Sequence, residues 1–243
     1  MAWNLRSILC RKEEGPSVAP NVEREWKAAL RGEEGFWERW LETRGAYWPE
    51  DYARRMDPEH ELQWHIKPYL VLDPGATSAR ILDVGAGLLT VLGKKHGKIR
   101  LEITAVDPLA EKYDRILARA GLMPAVRTIR GDAERVASMF PESSFDLVYA
   151  QNCIDHCRNP IVAIDQMLTL VKPGRFLMLE HAVNEGETMA YDGLHQWNFC
   201  LEEGRFTIWR PGWKADAHAR FEERAEIEAR VTNKWLVVAM KKR

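Results

Sequence analysis

The chain has 243 residues, 46% of them hydrophobic, which is enough for one α/β domain of ordinary size and an attached cap. Its 35 basic and 36 acidic side chains leave a formal charge of -1, so no global basic field argues for nucleic acid or an anionic membrane. The four cysteines, Cys10, Cys153, Cys157 and Cys200, are scattered and fit neither a disulfide framework nor a zinc ribbon. Residues 1–10 lack a secretory hydrophobic core and no later run is long enough to span a bilayer, so a soluble cytoplasmic protein is expected.

Taken in order, residues 1–20 end in the polar RKEEGPSVAP and read as a mobile leader. Residues 21–72 read as a helical cap. Asn21 is a candidate N-cap, and Val22, Trp26 and Leu30 share one face until Gly32 stops the run. Phe36, Trp37, Trp40 and Leu41 form the apolar stripe of a second helix over 34–43. An irregular, aromatic and charged stretch follows between Gly45 and Pro58, then a third helical piece over 61–72 interrupted by Pro68.

Residues 73–243 carry the main domain. Strand patterns fall at 80–84, 101–107, 125–131, 145–151 and 175–182, with helical patterns near 88–96, 109–120, 133–139 and 160–171. Apolar strands alternating with helices predict a doubly wound, mostly parallel sheet covered on both faces. Residues 226–231 and 234–240 predict a terminal antiparallel hairpin. Residues 183–212 interrupt the alternation, and LHQWNF, an EEG turn and RFTIW within them read as a β-hairpin.

The organising stretch is Ile81–Thr90, ILDVGAGLLT, a strand entering a glycine turn followed by a helix-compatible segment. Such a turn offers bare N–H groups at the carboxyl end of a parallel strand, where open α/β sheets bind nucleotides and their relatives. Asp107, ending the second strand, stands where a carboxylate meets the hydroxyls of a ribose. Asp132 and Ala133, after the third strand, lie where an acid and a small residue meet an adenine, although Asp132 also fits a helix N-cap.

The series ILDVGAG, AVDP, GDAERV, FDLVYAQNCIDHCRNP and LVKPGRFLMLE, in this order and spacing over residues 80–180, resembles the class I S-adenosylmethionine-dependent methyltransferases. The likeness is greatest to the small-molecule group that includes the ubiquinone-biosynthesis type. The resemblance implies a Rossmann-like, mostly parallel seven-stranded sheet and S-adenosylmethionine as cofactor. It places Asp83, Gly85, Ala86 and Gly87 in the cofactor loop, Asp107 with Pro108 at the ribose, and Asp132 with Ala133 at the adenine. Gln151 and Asn152 fall at the methionine end, and His156 faces the active site. One departure is Leu89, where the family usually has a third loop glycine, and an altered loop is expected there. A non-catalytic cofactor-binding protein is the alternative it motivates; a nicotinamide-dependent oxidoreductase would need a catalytic set absent from this sequence.

Methyl transfer from a sulfonium mainly requires an aligned nucleophile and exclusion of water, and an alkyl or sugar hydroxyl also benefits from a base. His156 and His195 are the candidate catalytic residues, with Asp155 and His181 as further candidate bases. Cys153, Asp155, His156 and Cys157 sit in one short loop that cannot easily close a tetrahedral site, so no metal is expected. All ten tryptophans lie at or before Trp64 or at or after Trp197, flanking the core motifs. The cap and the 183–212 hairpin are therefore expected to cover a small-molecule acceptor, most naturally oxygen of a saccharide or saccharide-linked precursor, with His195, Gln196 and Asn198 as polar groups. The same aromatic cap offers a surface for a homodimer.

Overall fold

The computed structural model describes residues 20–243, with side chains from Glu23 onward. The leader expected over 1–20 lies, apart from the backbone of Pro20, outside the described residues.

The chain opens with α1, Pro20–Glu42, a single helix that continues through Gly32 where a break was expected. Gly32 faces open space, so it costs about 1 kcal/mol relative to alanine and nothing sterically. Trp37, Trp40 and Leu41 outweigh that cost by packing on Leu88, Leu89, Leu109 and Tyr113, at roughly 1.5–3 kcal/mol for each side chain buried. The stretch read as irregular holds α2, Pro49–Met56, with proline in its first turn, Glu50 and Asp51 at its positive end and Arg54 and Arg55 at its negative end. The helix expected over 61–72 shrinks to one 3-10 turn, Lys67–Tyr69, although Leu62, Ile66 and Leu70 are all buried.

The main sheet is built from β1 (Ser78–Val84), β2 (Lys95–His96), β3 (Ile99–Asp107), β4 (Thr128–Arg130), β5 (Phe145–Gln151), β6 (Val171–Ala182), β10 (Ala225–Thr232) and β11 (Trp235–Lys242). Its order is β10-β11-β6-β5-β1-β3, and both β4 and β2 pair with the outer edge of β3. Strand β4 lies beside Ala105–Asp107 and β2 beside Ile99 and Arg100, so the short β2 makes eight strands where seven were expected. Strands β1, β3, β4, β5 and β6 are parallel, and β11 runs antiparallel between β6 and β10.

Side chains alternate between two cores with the strand period of two. Leu82, Val84, Val148 and Ala150 face α4 (Pro160–Leu170) and the 3-10 helix Ala133–Met139, while Ile81, Leu147 and Tyr149 face the 60–72 segment. Helix α3, Ala110–Arg119, follows β3 and packs against α1.

The helix expected over 88–96 is absent. Leu88 and Leu89 enter the cluster under α1 while Val91 and Leu92 enter the cluster under the 60–72 segment, and an irregular path serves two cores better than one helical stripe. Gly93 has no room for a Cβ because the backbone of Glu61 and Leu62 lies against it. After β6 come α5 (Glu185–Thr188), β7 (Asn198–Glu202), β8 (Arg205–Arg210), β9 (Trp213–Asp216) and α6 (Ala217–Phe221). The predicted hairpin is therefore two arms of a three-stranded sheet, whose Phe199, Phe206 and Ile208 join the core shared with α4.

Candidate active site

A cavity of about 720 Å³ opens at the carboxyl ends of β1, β3, β4 and β5. Asp83, Gly85, Ala86, Gly87, Asp107, Pro108, Asp132, Ala133, Gln151, Asn152, His156 and His195 all line it. Parallel strands bring residues at their ends together however far apart in sequence they are.

The glycine turn departs from the expectation of free amides. The N–H groups of Gly85 and Ala86 donate to Val106 O at 2.8 and 3.2 Å, and Gly87 N–H donates to Asp107 Oδ2 at 3.1 Å. Both glycines have positive φ, +68° and +66°, and neither has room for a Cβ: Cys153 fills the space at Gly85 and the Trp37 ring fills it at Gly87. With no helix after the turn, its carbonyls need other partners. Arg55 supplies them, donating Nη1 to Leu89 O at 2.5 Å and to Ala86 O at 3.5 Å while its Nε binds Asp51 at 2.7 Å. Leu89 accordingly does not crowd the turn; its side chain is buried with Trp37 and Trp40.

Asp107 accepts a second hydrogen bond from Leu109 N–H at 2.8 Å. Burial pushes its carboxyl up to about 7, and the charge of Glu33 on α1 adds to the effect. Burial likewise raises Asp83 to about 6, against a 2.5 Å hydrogen bond from Thr90 Oγ1. Asp132 is the helix cap that its position allowed, and it also faces the cavity. It accepts Glu134 N–H at 3.0 Å as the cap of the 3-10 helix, and it lines the cavity. It also pairs with Arg158, which binds Glu134 and α1's Glu23, each at 2.8 Å, and lies 4.3 Å from the centre of the Trp26 ring. Trp26 Nε1 donates to His156 O at 2.8 Å, so α1 is bound across the cavity to the loop after β5. At the other end, Gln151 lies 3.2 Å from Tyr149 Oη, which donates its proton to Glu180 Oε2 at 2.6 Å, and Asn152 Oδ1 accepts Ala182 N–H at 3.0 Å.

His156 comes from the loop after β5 and His195 from the insertion, 39 residues later, yet Nε2 of the first lies 3.1 Å from Nδ1 of the second. His195 Nδ1 is also 2.9 Å from Oδ2 of Asp155, a fully buried carboxylate. Burial works against charge on both groups, but the surrounding imidazoles hold Asp155 below the ordinary carboxylate range, and Asp155 with Glu185 raises His195. His181 is buried, stacked on Phe199 and pushed by burial down to about 4, and it does not line the cavity.

The insertion contributes less than expected. Trp197 is fully buried with its Nε1 bonded to Cys157 O at 2.7 Å, Gln196 bonds the carbonyls of Tyr191 and Gly193, and Asn198 is buried against Tyr191 and Glu187. Of LHQWNF only Leu194 and His195 reach the cavity. Glu33, Asp51, Arg55 and Glu185 also line it, and sequence patterning had marked none of them. The approach of the first three depends on tertiary packing of the cap and that of Glu185 on the insertion; for Asp51 and Arg55 the charged AYWPEDYARRMDP run was the available hint.

Residues 52–226, well over half of the chain, match the family model described as "Methyltransferase domain". The tRNA U34 carboxymethyltransferase of Syntrophotalea carbinolica is 29% identical over 131 residues, 52% of this chain and 39% of that protein, so the chain spans well under half of its length. Among solved structures, an O-methyltransferase family protein from Burkholderia thailandensis is similar with a TM-score of 0.51 and 13% identity, over 96% of this chain and 65% of that one. A phosphoethanolamine N-methyltransferase 2 of Haemonchus contortus in complex with S-adenosyl-L-methionine is similar at a TM-score of 0.49 and 16% identity, over 80% and 52%. The fold is Rossmann-like, and the family model supplies the activity class. The chain belongs to the class I S-adenosylmethionine-dependent methyltransferases, and S-adenosylmethionine is its cofactor. Among the described residues, no helix is long and apolar enough to cross a membrane.

Proposed function

We propose that the chain moves the methyl group of S-adenosylmethionine to oxygen of a small hydroxylated acceptor, a saccharide or saccharide-linked precursor. The observation that carries this reading is the position of His156 and His195 in the wall of the same cavity as the glycine turn and Asp107. In this assignment Asp83, Gly85, Ala86 and Gly87 shape the donor's seat. Asp107, beside Pro108, accepts the ribose hydroxyls, Asp132 and Ala133 border the adenine, and Gln151 and Asn152 hold the methionine end. His156 and His195 meet the acceptor hydroxyl and govern its proton.

The chemistry explains why imidazoles belong there. The acceptor oxygen attacks the methyl carbon, the C–S electron pair leaves on sulfur, and the hydroxyl proton must depart; a thiolate or phenolate would need no such help. Flat faces of Trp26 and Trp48 and the carboxylates of Glu33, Asp51 and Glu185 supply apolar platforms and hydrogen-bond acceptors suited to a sugar. Residues 21–72, with part of the 183–212 insertion, act as the water-excluding cover. An RNA acceptor is the second reading, favoured by the printed activity of the Syntrophotalea relative. The carboxylates in the cavity wall oppose a phosphate backbone there.

The test is transfer of labelled methyl from S-adenosylmethionine to a panel of free sugars, nucleotide sugars and bulk tRNA. Label in a sugar fraction, lost in His195→Gln with donor binding intact, supports the proposal. Label in RNA alone overturns the acceptor.

A further inference from the structure

Three donor atoms converge on the acceptor side of the cavity: Asp155 Oδ2, His156 Nε2 and His195 Nδ1. Their separations are 2.9 Å between His195 and Asp155, 3.1 Å between the two histidines, and 3.5 Å between His156 and Asp155. A transition metal with bonds of about 2.1 Å places neighbouring ligands about 3.0 Å apart in an octahedron and about 3.4 Å apart in a tetrahedron. The triangle fits one face of either polyhedron.

As a set of hydrogen bonds the same arrangement is incomplete. Both imidazole nitrogens crowd one carboxylate oxygen and each other, while Asp155 Oδ1, in a wholly buried side chain, has no hydrogen-bond partner. His181 Nδ1 lies 3.9 Å from it and is itself buried and unpartnered. A buried acceptor left unsatisfied is costly. A cation on Oδ2 would offset the charge of this buried carboxylate, which the hydrogen bonds leave half satisfied. The sequence argued against metal because one loop cannot close a site, but the fold adds His195 from the insertion. Glu185 Oε1 lies 4.0 Å from His195 Nδ1 but outside the three-atom cluster, which leaves the other positions of the polyhedron to solvent or ligand.

We propose that Asp155, His156 and His195 form a two-histidine, one-carboxylate site for a divalent transition ion such as Zn²⁺, Mn²⁺ or Co²⁺, with its open positions toward the cavity. Two imidazoles and a carboxylate select this class of ion over Mg²⁺ or Ca²⁺, which take oxygen ligands. The site deepens the proposed function, and its role, though not metal binding itself, rests on that reading. A hydroxyl coordinated at an open position loses its proton to solvent more readily, as metal-bound water does. The resulting alkoxide forms the O–CH₃ bond as the C–S bond breaks, and the sulfonium becomes a neutral thioether. The histidines then govern the proton through the ion they hold.

The experiment uses tag-free full-length protein, stripped with a chelator and titrated with Co²⁺ by visible absorption and with Zn²⁺ by calorimetry. One equivalent should bind per chain, with ligand-field bands and no thiolate charge-transfer band that would implicate the cysteines. His195→Gln should lower affinity on the order of 100-fold. Asp155→Asn should do likewise, and because its side chain is buried, His195→Gln carries the test if the asparagine variant does not fold. Binding below a tenth of an equivalent, or equal binding by wild type and His195→Gln, overturns the site. Methyl transfer unchanged by the chelator, with no metal bound, removes the metal and leaves the function. Metal bound with no sugar methylated keeps the site and removes the acceptor.

Discussion

Replacement of Asp107 by asparagine tests the electrostatics on which the donor site depends. The folded carboxyl titrates at about 7 against 3.8 for the ordinary group, because it is buried and faces Glu33. The folded state therefore holds the proton more tightly than the unfolded state, so this group's contribution to stability is greatest at low pH and falls as pH rises through the window from about 4 to about 7. Between about pH 5 and about pH 8 the loss is on the order of 2.5 kcal/mol, or roughly 5–10 °C in Tm for a chain of this size. Asp107→Asn removes the titration but also turns one N–H acceptor into a donor facing Gly87 N–H, a fixed cost of about 1–3 kcal/mol. That cost is the same at every pH, so the difference between the two proteins varies with pH only through the wild-type carboxyl. Plotted as Tm against pH without donor, the variant should gain on the wild type by that amount between pH 5 and pH 8, since Asp83 titrates in both and cancels. Parallel curves, or a wild type that gains on the variant, would refute the buried-carboxyl argument. Calorimetry with S-adenosylmethionine adds the functional half: if ribose hydroxyls donate to ionised Asp107, wild-type affinity should rise roughly tenfold from about pH 6 to about pH 8. Asp107→Asn should bind weakly without that rise.

Arg55→Met leaves Leu89 O without its donor and Asp51 with Arg54 alone; a loss of about 1–3 kcal/mol in thermal unfolding, with weakened donor binding, is expected, and unchanged donor binding would show that the turn holds its shape alone. Gly87→Ala forces a Cβ into the Trp37 ring at positive φ, so it should destabilise the protein, and Trp37→Ala in the same chain should recover part of that loss in a double-mutant cycle. Strict additivity of the two changes would place Trp37 elsewhere in solution. Trp197→Ala should cost about 3–5 kcal/mol by chemical denaturation, as expected of a buried tryptophan and not of a surface lid.

How far the sequence spoke for the fold follows from how local each determinant is. Alternation of Ile81 and Leu147 against Leu82 and Val148 encodes both faces of the sheet within single strands, so those strands were legible. Asp107 and Asp132 were legible because strand ends in a parallel sheet converge whatever lies between them. LLTVL was not: a short apolar run fits a buried helix or a buried extended path equally, and the decision between them was made by Glu61 and by the cap, outside the run. Gly32 misled for the opposite reason, since a glycine's local penalty of about 1 kcal/mol is smaller than what one packed tryptophan returns. Arg55, Glu33 and the meeting of His156 with His195 belong to a third kind, because their positions are set by segments that touch only when the cap and the insertion have folded onto the sheet. In the proposed assignment the donor half of the cavity is therefore written largely in strand-end motifs, and the acceptor half in contacts between distant segments. The cap is tied to both halves, because Arg55 binds carbonyls of the glycine turn and Trp37 fills the space beside Gly87.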